Sequence, residues 1–214
     1  MSELAADRAR ALALRAVSRE TIARLDTFVG LLLTWQSRIN LISSNTSAQI
    51  WSRHILDSLQ LIDLVGAWRD WVDIGSGAGF PGLVVAIAVA EQPDRKVWLV
   101  ESNYKRCAFL REAARATGAN VQVVNQKIES AAARLPTAPD IVSARAVAPL
   151  AQLFEMAYPL LKTGGTGLFP KGQDVESELT AAAKYWRFKA ALTTSITDPD
   201  GRIVAASALQ PQPR

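Results

Sequence analysis

The sequence lacks the residues that disulfide, metal and membrane functions require. Cys107 is the only cysteine among 214 residues, which excludes an intrachain disulfide and a cysteine-rich metal site. His54 is the only histidine, so a multi-histidine metal site is excluded as well, and no metal is expected. The longest run of apolar and glycine residues, 82–90, is nine residues long, whereas a membrane-spanning helix needs about 20.

The chain also lacks a targeting signal and a concentrated charge. Arg and Asp interrupt every apolar stretch near the amino terminus, unlike a secretory signal. Together with the single cysteine, this favours a reducing, cytoplasmic setting and no membrane partner. Lys and Arg total 24 against 20 Asp and Glu, and the excess is spread along the chain. This distribution permits a polyanionic partner without requiring one.

The sequence does contain enough apolar residues, 49%, for one large domain with a small accessory piece. Ser18 is placed to cap a helix whose apolar residues recur at spacings of three and four, and a second such stripe covers 50–62. Neither helix can bury its stripe alone. We therefore predict a helical extension over 1–66, packed on a second unit over 67–214.

In the second unit, short apolar runs alternate with helical stretches. Predicted strands cover 71–74, 96–101, 121–124, 140–146, 166–169, 188–196 and 202–208. Predicted helices cover 81–91, 104–117, 150–161 and 175–185, with a short helix around residue 129. Such alternation predicts an α/β fold with a parallel sheet between two layers of helices.

The segment VDIGSGAGFPG (72–82) joins the first predicted strand to the first helix, where doubly wound sheets bind ligands. Gly77, Gly79 and Gly82 fit G-x-G-x-x-G, which suits either NAD or S-adenosylmethionine. A carboxylate from Asp73 at the mouth of the loop would repel a diphosphate and favour the cationic S-adenosylmethionine. The alternative is a tight turn in which Asp73 is only a helix cap.

Glu101 ends the second predicted strand, where either cofactor would present its ribose hydroxyls. The alternative is a solvated strand end before a helix that Asn103 caps. The position of Glu101 relative to the glycine loop favours the ribose role.

Four stretches occur in a characteristic order: RHILDS (53–58), VDIGSGAGFPG (72–82), LVESNYKRCAFL (99–110) and SARAVAPL (143–150). By these, the chain resembles the bacterial small-subunit rRNA guanine-N7 methyltransferases, RsmG or glucose-inhibited division protein B, over about residues 20–172. The resemblance implies a class I S-adenosylmethionine-dependent methyltransferase fold, Rossmann-like, with a seven-stranded, mostly parallel sheet. It implies methyl transfer from S-adenosyl-L-methionine to N7 of a guanine in 16S rRNA, naked or in the small ribosomal subunit, with no obligate protein partner.

The loop pattern and the resemblance together assign eight residues to cofactor binding. They are Asp73, Gly75, Gly77, Phe80, Glu101, Ile128, Glu129 and Arg145. The resemblance places Ile128 and Glu129 beside the adenine and Arg145 on the cofactor or substrate side. It also implies that Gln126, Lys127 and Ile128 stand where small residues are frequent in the family.

The residues agree with direct transfer to N7, which attacks with a lone pair and needs no general base. Orientation of the reactants alone can supply about 7–11 kcal/mol. Cys107 is expected to be a small buried residue rather than a nucleophile. Arg145 can donate to the methionine carboxylate or to guanine O6, and its alternative is an ion pair with Glu129 or Asp73.

The candidates for RNA contact are Lys105 and Arg106, in the densest basic patch, and Lys171 after the fifth strand. Their alternative is an ordinary solvated surface. His54 lies three residues before Asp57 and is expected to hold the extension over the cofactor mouth. Two other functions stay open, a Rossmann oxidoreductase, which would need a proton relay group, and a non-catalytic rRNA or ribosome-assembly factor.

Overall fold

One seven-stranded sheet organises the chain, for which a computed structural model describes residues 2–213. Its strands are β1 (Asp70–Ile74), β2 (Lys96–Val100), β3 (Val121–Val124), β4 (Ile141–Ser143), β5 (Thr166–Lys171), β6 (Trp186–Thr194) and β7 (Arg202–Pro211). Their spatial order is β3-β2-β1-β4-β5-β7-β6. The first five strands run parallel to one another, and β7 runs antiparallel to both of its neighbours, β5 and β6. The order reverses between β1 and β4, which opens a crevice beyond their carboxyl ends.

Helices cover both faces of the sheet and form the amino-terminal extension. They are α1 (Glu3–Leu14), α2 (Arg19–Gln36), α3 (Asp57–Leu59), α4 (Gly82–Ala88), α5 (Tyr104–Thr117), α6 (Ile128–Ala131), α7 (Leu150–Leu161) and α8 (Val175–Ala183). Short 3₁₀ helices cover Ser44–Gln49, Gln60–Leu64 and Ala132–Arg134, and a π-helix covers Trp51–Leu56. None of the helices in residues 2–213 has the length and apolar character needed to cross a membrane.

Local signals in the sequence set several bounds. The predicted limits of β3, α5 and α7 are confirmed residue for residue. Ser18 caps α2 by accepting a hydrogen bond from the Thr21 amide, as predicted. Asn103 caps α5 through the amides of Lys105 and Arg106. A side-chain oxygen at these positions satisfies amides that have no partner within the helix.

The other predicted strands and helices of the second unit differ from the structure by one to three residues at their ends, and the second apolar stripe differs in its winding. Two of these differences have a physical reason. The strand predicted over 140–146 ends at Ser143, because the chain turns sharply beyond it and Ala146 has a φ of 54°. The second apolar stripe, predicted as one helix, winds successively as a π-helix, one α turn and a 3₁₀ helix. At the start of this irregular segment, the amides of Trp51 and Ser52 donate hydrogen bonds to the side chain of Asp7.

The extension shares a hydrophobic core with the sheet unit. Leu25, Phe28 and Leu32 of α2 are fully buried in the cluster that contains α4 and α5 side chains. Phe28 contacts Phe80 edge to face at 5.5 Å between ring centroids and lies 6.1 Å from Phe109. The predicted boundary between residues 66 and 67 stays a prediction.

Candidate functional site

The glycine loop leaves the end of β1 in a conformation that side chains disfavour. Gly75, Gly77 and Gly79 have φ values of 68°, 54° and 92°. In this left-handed region a Cβ atom crowds the neighbouring carbonyl, at a cost of about 1–2 kcal/mol. The amides of Gly75 and Ser76 both donate to the carbonyl of Val100, at 2.9 and 3.0 Å, so the loop is fixed to the end of β2.

Asp73 lies beneath this loop, not at its mouth. Its side chain is fully buried, and it accepts hydrogen bonds from Gly82 N at 3.2 Å and from Ser143 Oγ at 2.7 Å. Burial raises the pKa of Asp73 to about 6, against the lowering effect of its hydrogen bonds from Ser143 and Ser76. The prediction of a carboxylate at the mouth is therefore wrong. The loop geometry matches the alternative, in which Asp73 caps α4, so the choice of cofactor must rest on other residues.

Glu101 joins the glycine loop to the start of α5. Its Oε2 accepts from Gly77 N at 3.0 Å, and its Oε1 accepts from Asn103 N at 2.7 Å. The side chain is buried yet borders the crevice, with the residue 6% exposed. Glu101 is thus a fixed carboxylate with lone pairs left for hydroxyl donors such as those of a ribose.

A first cavity of about 270 Å³ opens where β1, β2 and β3 end. Its walls include four residues predicted to bind cofactor, namely Gly75, Glu101, Ile128 and Glu129. The rest of the lining combines an apolar wall of Ile74, Val100, Val147 and Met156 with the polar residues Ser102, Gln126 and Lys127. An acidic group beside an apolar wall fits a nucleoside, whose hydroxyls need acceptors and whose base is flat and apolar on its faces.

The other four predicted residues lie outside this lining. Asp73 and Gly77 are parts of the loop framework, as their hydrogen bonds to Gly82 and Glu101 indicate. Phe80 is buried under the extension, and Arg145 faces a second cavity.

Arg145 is bound by the extension. Its Nη1 donates to Asp57 Oδ2 at 3.0 Å and to the Arg53 carbonyl at 2.9 Å, and its Nη2 donates to His54 Nδ1 at 2.8 Å. The guanidinium carbon also lies 5.2 Å from the centre of the Phe80 ring. Arg145 and its Asp57 partner are both largely buried, with side chains 17% and 15% exposed. The ion pair of Arg145 is thus with Asp57 of the extension, not with Glu129 or Asp73, the partners that the alternative to its functional role named.

His54 completes this cluster as a neutral side chain. Burial, followed by the charges of Arg145 and Arg53, lowers the pKa of His54 to about 3. Since Nδ1 accepts from Arg145, the ring proton is on Nε2, which donates to Thr46 Oγ1 at 3.0 Å. The ring stacks on Phe80 of the glycine loop at 4.9 Å. His54 therefore holds the extension against the loop, as predicted.

The second cavity, of about 420 Å³, is rich in cationic side chains. Arg53, Arg145, Lys171 and Arg202 line it, together with the carboxylates of Asp57 and Asp198. Sequence reasoning missed Arg202 and the loop 195–201, because their nearness to the extension depends on the strand order of the carboxyl-terminal hairpin. Arg53 belongs to the RHILDS stretch, and its place beside His54 could have predicted that it lines this cavity.

Lys171 is largely buried, whereas the alternative to RNA contact was an exposed lysine on a solvated surface. Its ammonium pairs with Glu178 Oε2 at 2.7 Å and donates to the Ala148 carbonyl at 2.8 Å, with the side chain 9% exposed. By contrast, Lys105 is exposed at the start of α5 and Arg106 partly exposed. Cys107, in the same helix, is buried and donates to the Glu101 carbonyl, which agrees with a structural role.

The loop after β4 separates the two cavities. Arg145 and Ala146 line the second cavity, whereas Val147 lines the first. The left-handed conformation of Ala146 turns the chain between them. Strain of this kind, of order 1–3 kcal/mol, persists where surrounding contacts hold the chain, often at functional sites. Among residues 2–213, no group of three or more His, Cys, Asp or Glu side chains is arranged to hold a metal ion.

The chain is similar in fold to two solved methyltransferase structures. The S-adenosylhomocysteine-bound methyltransferase PaMTH1 of Podospora anserina aligns with a TM-score of 0.61 and 14% identity, covering 85% of this chain and 87% of that one. A SAM-dependent methyltransferase of Aquifex aeolicus aligns with a TM-score of 0.55 and 14% identity, covering 73% and 91%. At these identities the similarity shows the fold, a Rossmann-like class I methyltransferase fold.

Sequence comparison is more specific. A family model described as "GidB: rRNA small subunit methyltransferase G" matches residues 21–202. Ribosomal RNA small subunit methyltransferase G of Rhodopseudomonas palustris (strain BisB18) is 52% identical over 210 residues, covering 98% of this chain and 90% of the relative. The protein of the same name from Bradyrhizobium sp. (strain ORS 278) is 50% identical over 209 residues, covering 98% and 94%. The chain therefore belongs to the GidB family of S-adenosylmethionine-dependent, small-subunit rRNA methyltransferases.

Proposed function

We propose that this protein transfers the methyl group of S-adenosyl-L-methionine to N7 of a guanine in 16S rRNA. The observation that carries the proposal is the pair of neighbouring cavities, one suited to a nucleoside and one rich in arginine, which share the loop 145–147 in their walls. Family membership supports an rRNA substrate. The bound cofactor would supply the electrophilic methyl group.

In the first cavity, this chain's residues would hold the cofactor without a metal. The Glu101 carboxylate would accept from the ribose hydroxyls, while Ile128 and Glu129 would flank the base. The bare backbone of Gly75 would allow close approach, since a Cβ there would already lie 2.7 Å from Val147 Cγ2. Asp73 and Gly77 would act by shaping the loop.

On the substrate side, the chain needs to position a base rather than to move a proton. N7 must keep its lone pair free to attack, so a donor from Arg145 would serve O6 or the methionine carboxylate, not N7. His54, with its pKa at about 3, stays neutral and already has a partner on each nitrogen. Neither residue is required as a general base, and catalysis would rest on orientation.

Exposed cations would attract the RNA backbone to this side. Lys105 and Arg106 lie at the start of α5, just beyond Glu101 in the chain, and Arg53 has an exposed side chain at the second cavity. Contact of Lys171 with a phosphate would require exchange of its present partner, Glu178. We therefore assign the main phosphate contacts to Lys105, Arg106 and Arg53.

The test is methylation of 16S rRNA and of small ribosomal subunits from cells that lack this protein. The purified protein and S-adenosylmethionine are added, and the RNA is digested for nucleoside mass spectrometry. We expect 7-methylguanosine with the wild-type protein and none with Gly75→Asp. Modification of another atom would overturn the N7 assignment. Binding of S-adenosylhomocysteine and RNA with no methyl transfer would leave the assembly-factor role instead.

A further inference from the structure

Asp57 links the extension to two other parts of the second cavity. It belongs to the extension, its Oδ2 accepts from Arg145 of the methyltransferase loop, and its Oδ1 accepts from Thr197 Oγ1 at 3.0 Å. Thr197 lies in the loop 195–201, which joins β6 to β7. Removal of this side chain would therefore loosen two walls of the cavity at once.

The loop 195–201 has a second anchor on the same part of the extension. Gln60 donates from Nε2 to Ser195 Oγ at 3.0 Å and to Asp57 Oδ1 at 2.9 Å, and it accepts from Ile196 N at 3.0 Å. Gln60 is 5% exposed and Ser195 is 8% exposed. These buried hydrogen bonds fix where Asp57 can point, so its carboxylate is held before any substrate arrives.

The three contacts of Arg145 leave part of its donor capacity for a ligand. A guanidinium has five N–H groups, and the contacts with Asp57, His54 and the Arg53 carbonyl use three of them. Because the fork is planar, fixing one edge fixes the direction of the remaining donors. The ion pair with Asp57 is therefore suited to aim the donors that Arg145 keeps for substrate.

We propose that Asp57 is a positioning residue for methyl transfer, which acts by aiming the Arg145 guanidinium and by holding the loop 195–201 as a wall of the substrate cavity. The inference rests on the proposed function, because it assigns to the second cavity the guanine nucleotide that receives the methyl group. Asp57 itself takes no part in bond formation.

The charge of Asp57 gives this role a signature that a merely structural residue would not have. Arg53, Arg145, Lys171 and Arg202 all line the cavity, and Asp57 offsets part of their positive charge. Asp57→Asn removes that charge while keeping the size of the side chain. The cavity becomes more attractive to RNA phosphates, yet the guanidinium loses its fixed direction. Turnover and RNA affinity should thus move in opposite directions.

The experiment compares Asp57→Asn and Asp57→Ala with Asp63→Asn, a control in which an exposed extension carboxylate loses its pair with Arg15. Small subunits lacking the modification serve as substrate. We expect kcat to fall about tenfold for Asp57→Asn and on the order of a hundredfold for Asp57→Ala. KM for the subunit should be equal or lower in Asp57→Asn, and Asp63→Asn should match the wild type. The Kd of S-adenosylhomocysteine, from calorimetry, should stay within about twofold in all three.

A double variant tests whether Asp57 acts through Arg145. If it does, adding Asp57→Asn to Arg145→Gln should lower kcat little beyond the single Arg145→Gln change. Thr197→Val removes the hydrogen bond to Asp57 and the hydroxyl contact with Ser195 Oγ, and it leaves the contacts of Arg145 in place. Its effect should be smaller, which keeps the test available if Asp57→Ala does not fold. Unchanged kcat in Asp57→Asn would overturn the inference, as would a loss of kcat and cofactor affinity in equal proportion. Failure of the proposed function would look different, since the wild-type protein would then form no 7-methylguanosine.

Discussion

The two cavities are built in opposite ways. The first is assembled around the ends of β1, β2 and β3. Gly75 and Glu101 stand directly after their strands, and the pair at 128–129 begins α6, the helix that follows β3. The second takes its walls from four segments that are far apart in the chain: the extension, the loop after β4, the end of β5 and the carboxyl-terminal hairpin. The first cavity is thus built mainly from neighbouring strand ends, whereas the second depends on contacts between distant segments.

The difference extends to how each cavity is stabilised. Backbone hydrogen bonds and left-handed glycines hold the first, for example the Gly75 and Ser76 amides on the Val100 carbonyl. Side-chain contacts hold the second, chiefly those of Asp57 with Arg145 and with Thr197. Single substitutions should therefore damage one cavity and spare the other.

Gly75→Asp should give the largest effect, confined to the first cavity. The new Cβ would lie 2.7 Å from Val147 Cγ2 in a strained conformation, and the new carboxylate would stand in a cavity that already contains Glu101. We expect calorimetry to show a loss of more than about a hundredfold in S-adenosylhomocysteine affinity. RNA affinity should change little. Gly66→Asp, with open space around it, is the control, and cofactor affinity within threefold of wild type for Gly75→Asp would contradict the account.

Gly82→Ala should destabilise the packing of the start of α4 against β1 and β2. Its Cβ would lie 2.6 Å from both Asp73 Cβ and Leu99 Cδ2, in a fully buried position. We expect a decrease of about 2–3 kcal/mol in the free energy of unfolding by urea. The same substitution at the exposed helical Gly30, where nothing lies within 4 Å, should stabilise the protein by about 0.5–1 kcal/mol. Equal effects at the two glycines would show that packing at Gly82 is not tight.

Asp73, which is buried beneath the glycine loop, and His54, which is partly buried beside the second cavity, should change the stability of the protein with pH in opposite directions. The folded protein holds the Asp73 proton up to about pH 6 and the unfolded chain only to 3.8, so this group lowers stability as pH rises between those values. The unfolded chain holds the His54 proton up to 6.5 and the folded protein only to about 3, so this group raises stability with pH.

Variants separate the two contributions. Between about pH 4 and 6, the free energy of unfolding of Asp73→Asn relative to wild type should rise by about 1.4 kcal/mol per pH unit. That of His54→Gln relative to wild type should fall by the same amount per pH unit. Urea unfolding at a series of pH values measures both. Slopes of the same sign would contradict the burial of one of the two groups.

Surface cations should give the smallest effect, limited to RNA affinity. Lys105→Ala and Arg106→Ala should each weaken RNA binding about threefold and reduce the salt dependence, log Kd against log salt, by up to about one. Lys184→Ala, exposed after α8, is the matched control. Cofactor affinity should stay unchanged in all three. A salt dependence equal to that of wild type would exclude α5 from the RNA interface.

The sequence predicts the first cavity better than the second because its signals are local. The limits of β3, α5 and α7 follow from the spacing of apolar residues, from helix caps and from Gly118. The glycines of the loop likewise predict its left-handed backbone conformation. Asp73 was misplaced because the pattern shows which strand carries a residue and not which face it occupies. Its side chain turns toward Ser143 and Gly82 inside the sheet layer, where both donate to it.

The second cavity could be predicted only in part. His54 and Arg145 were singled out, but the hydrogen bond between them crosses 91 residues, and the link from Asp57 to Thr197 crosses 140. No local pattern encodes such pairs, which depend on the strand order that brings β7 beside β5. The sequence also does not predict the irregular winding of residues 51–64, because the apolar residues there have the same spacing as in a regular helix.

The most direct test of the central claim is a crystal soaked with both S-adenosylhomocysteine and NADH. We expect S-adenosylhomocysteine in the cavity beside Gly75, with its ribose on Glu101 and its base between the ends of β2 and β3. No ligand diphosphate should lie on the glycine loop. NADH bound there in its place, or S-adenosylhomocysteine held by Arg53 and Arg202 instead, would contradict this claim.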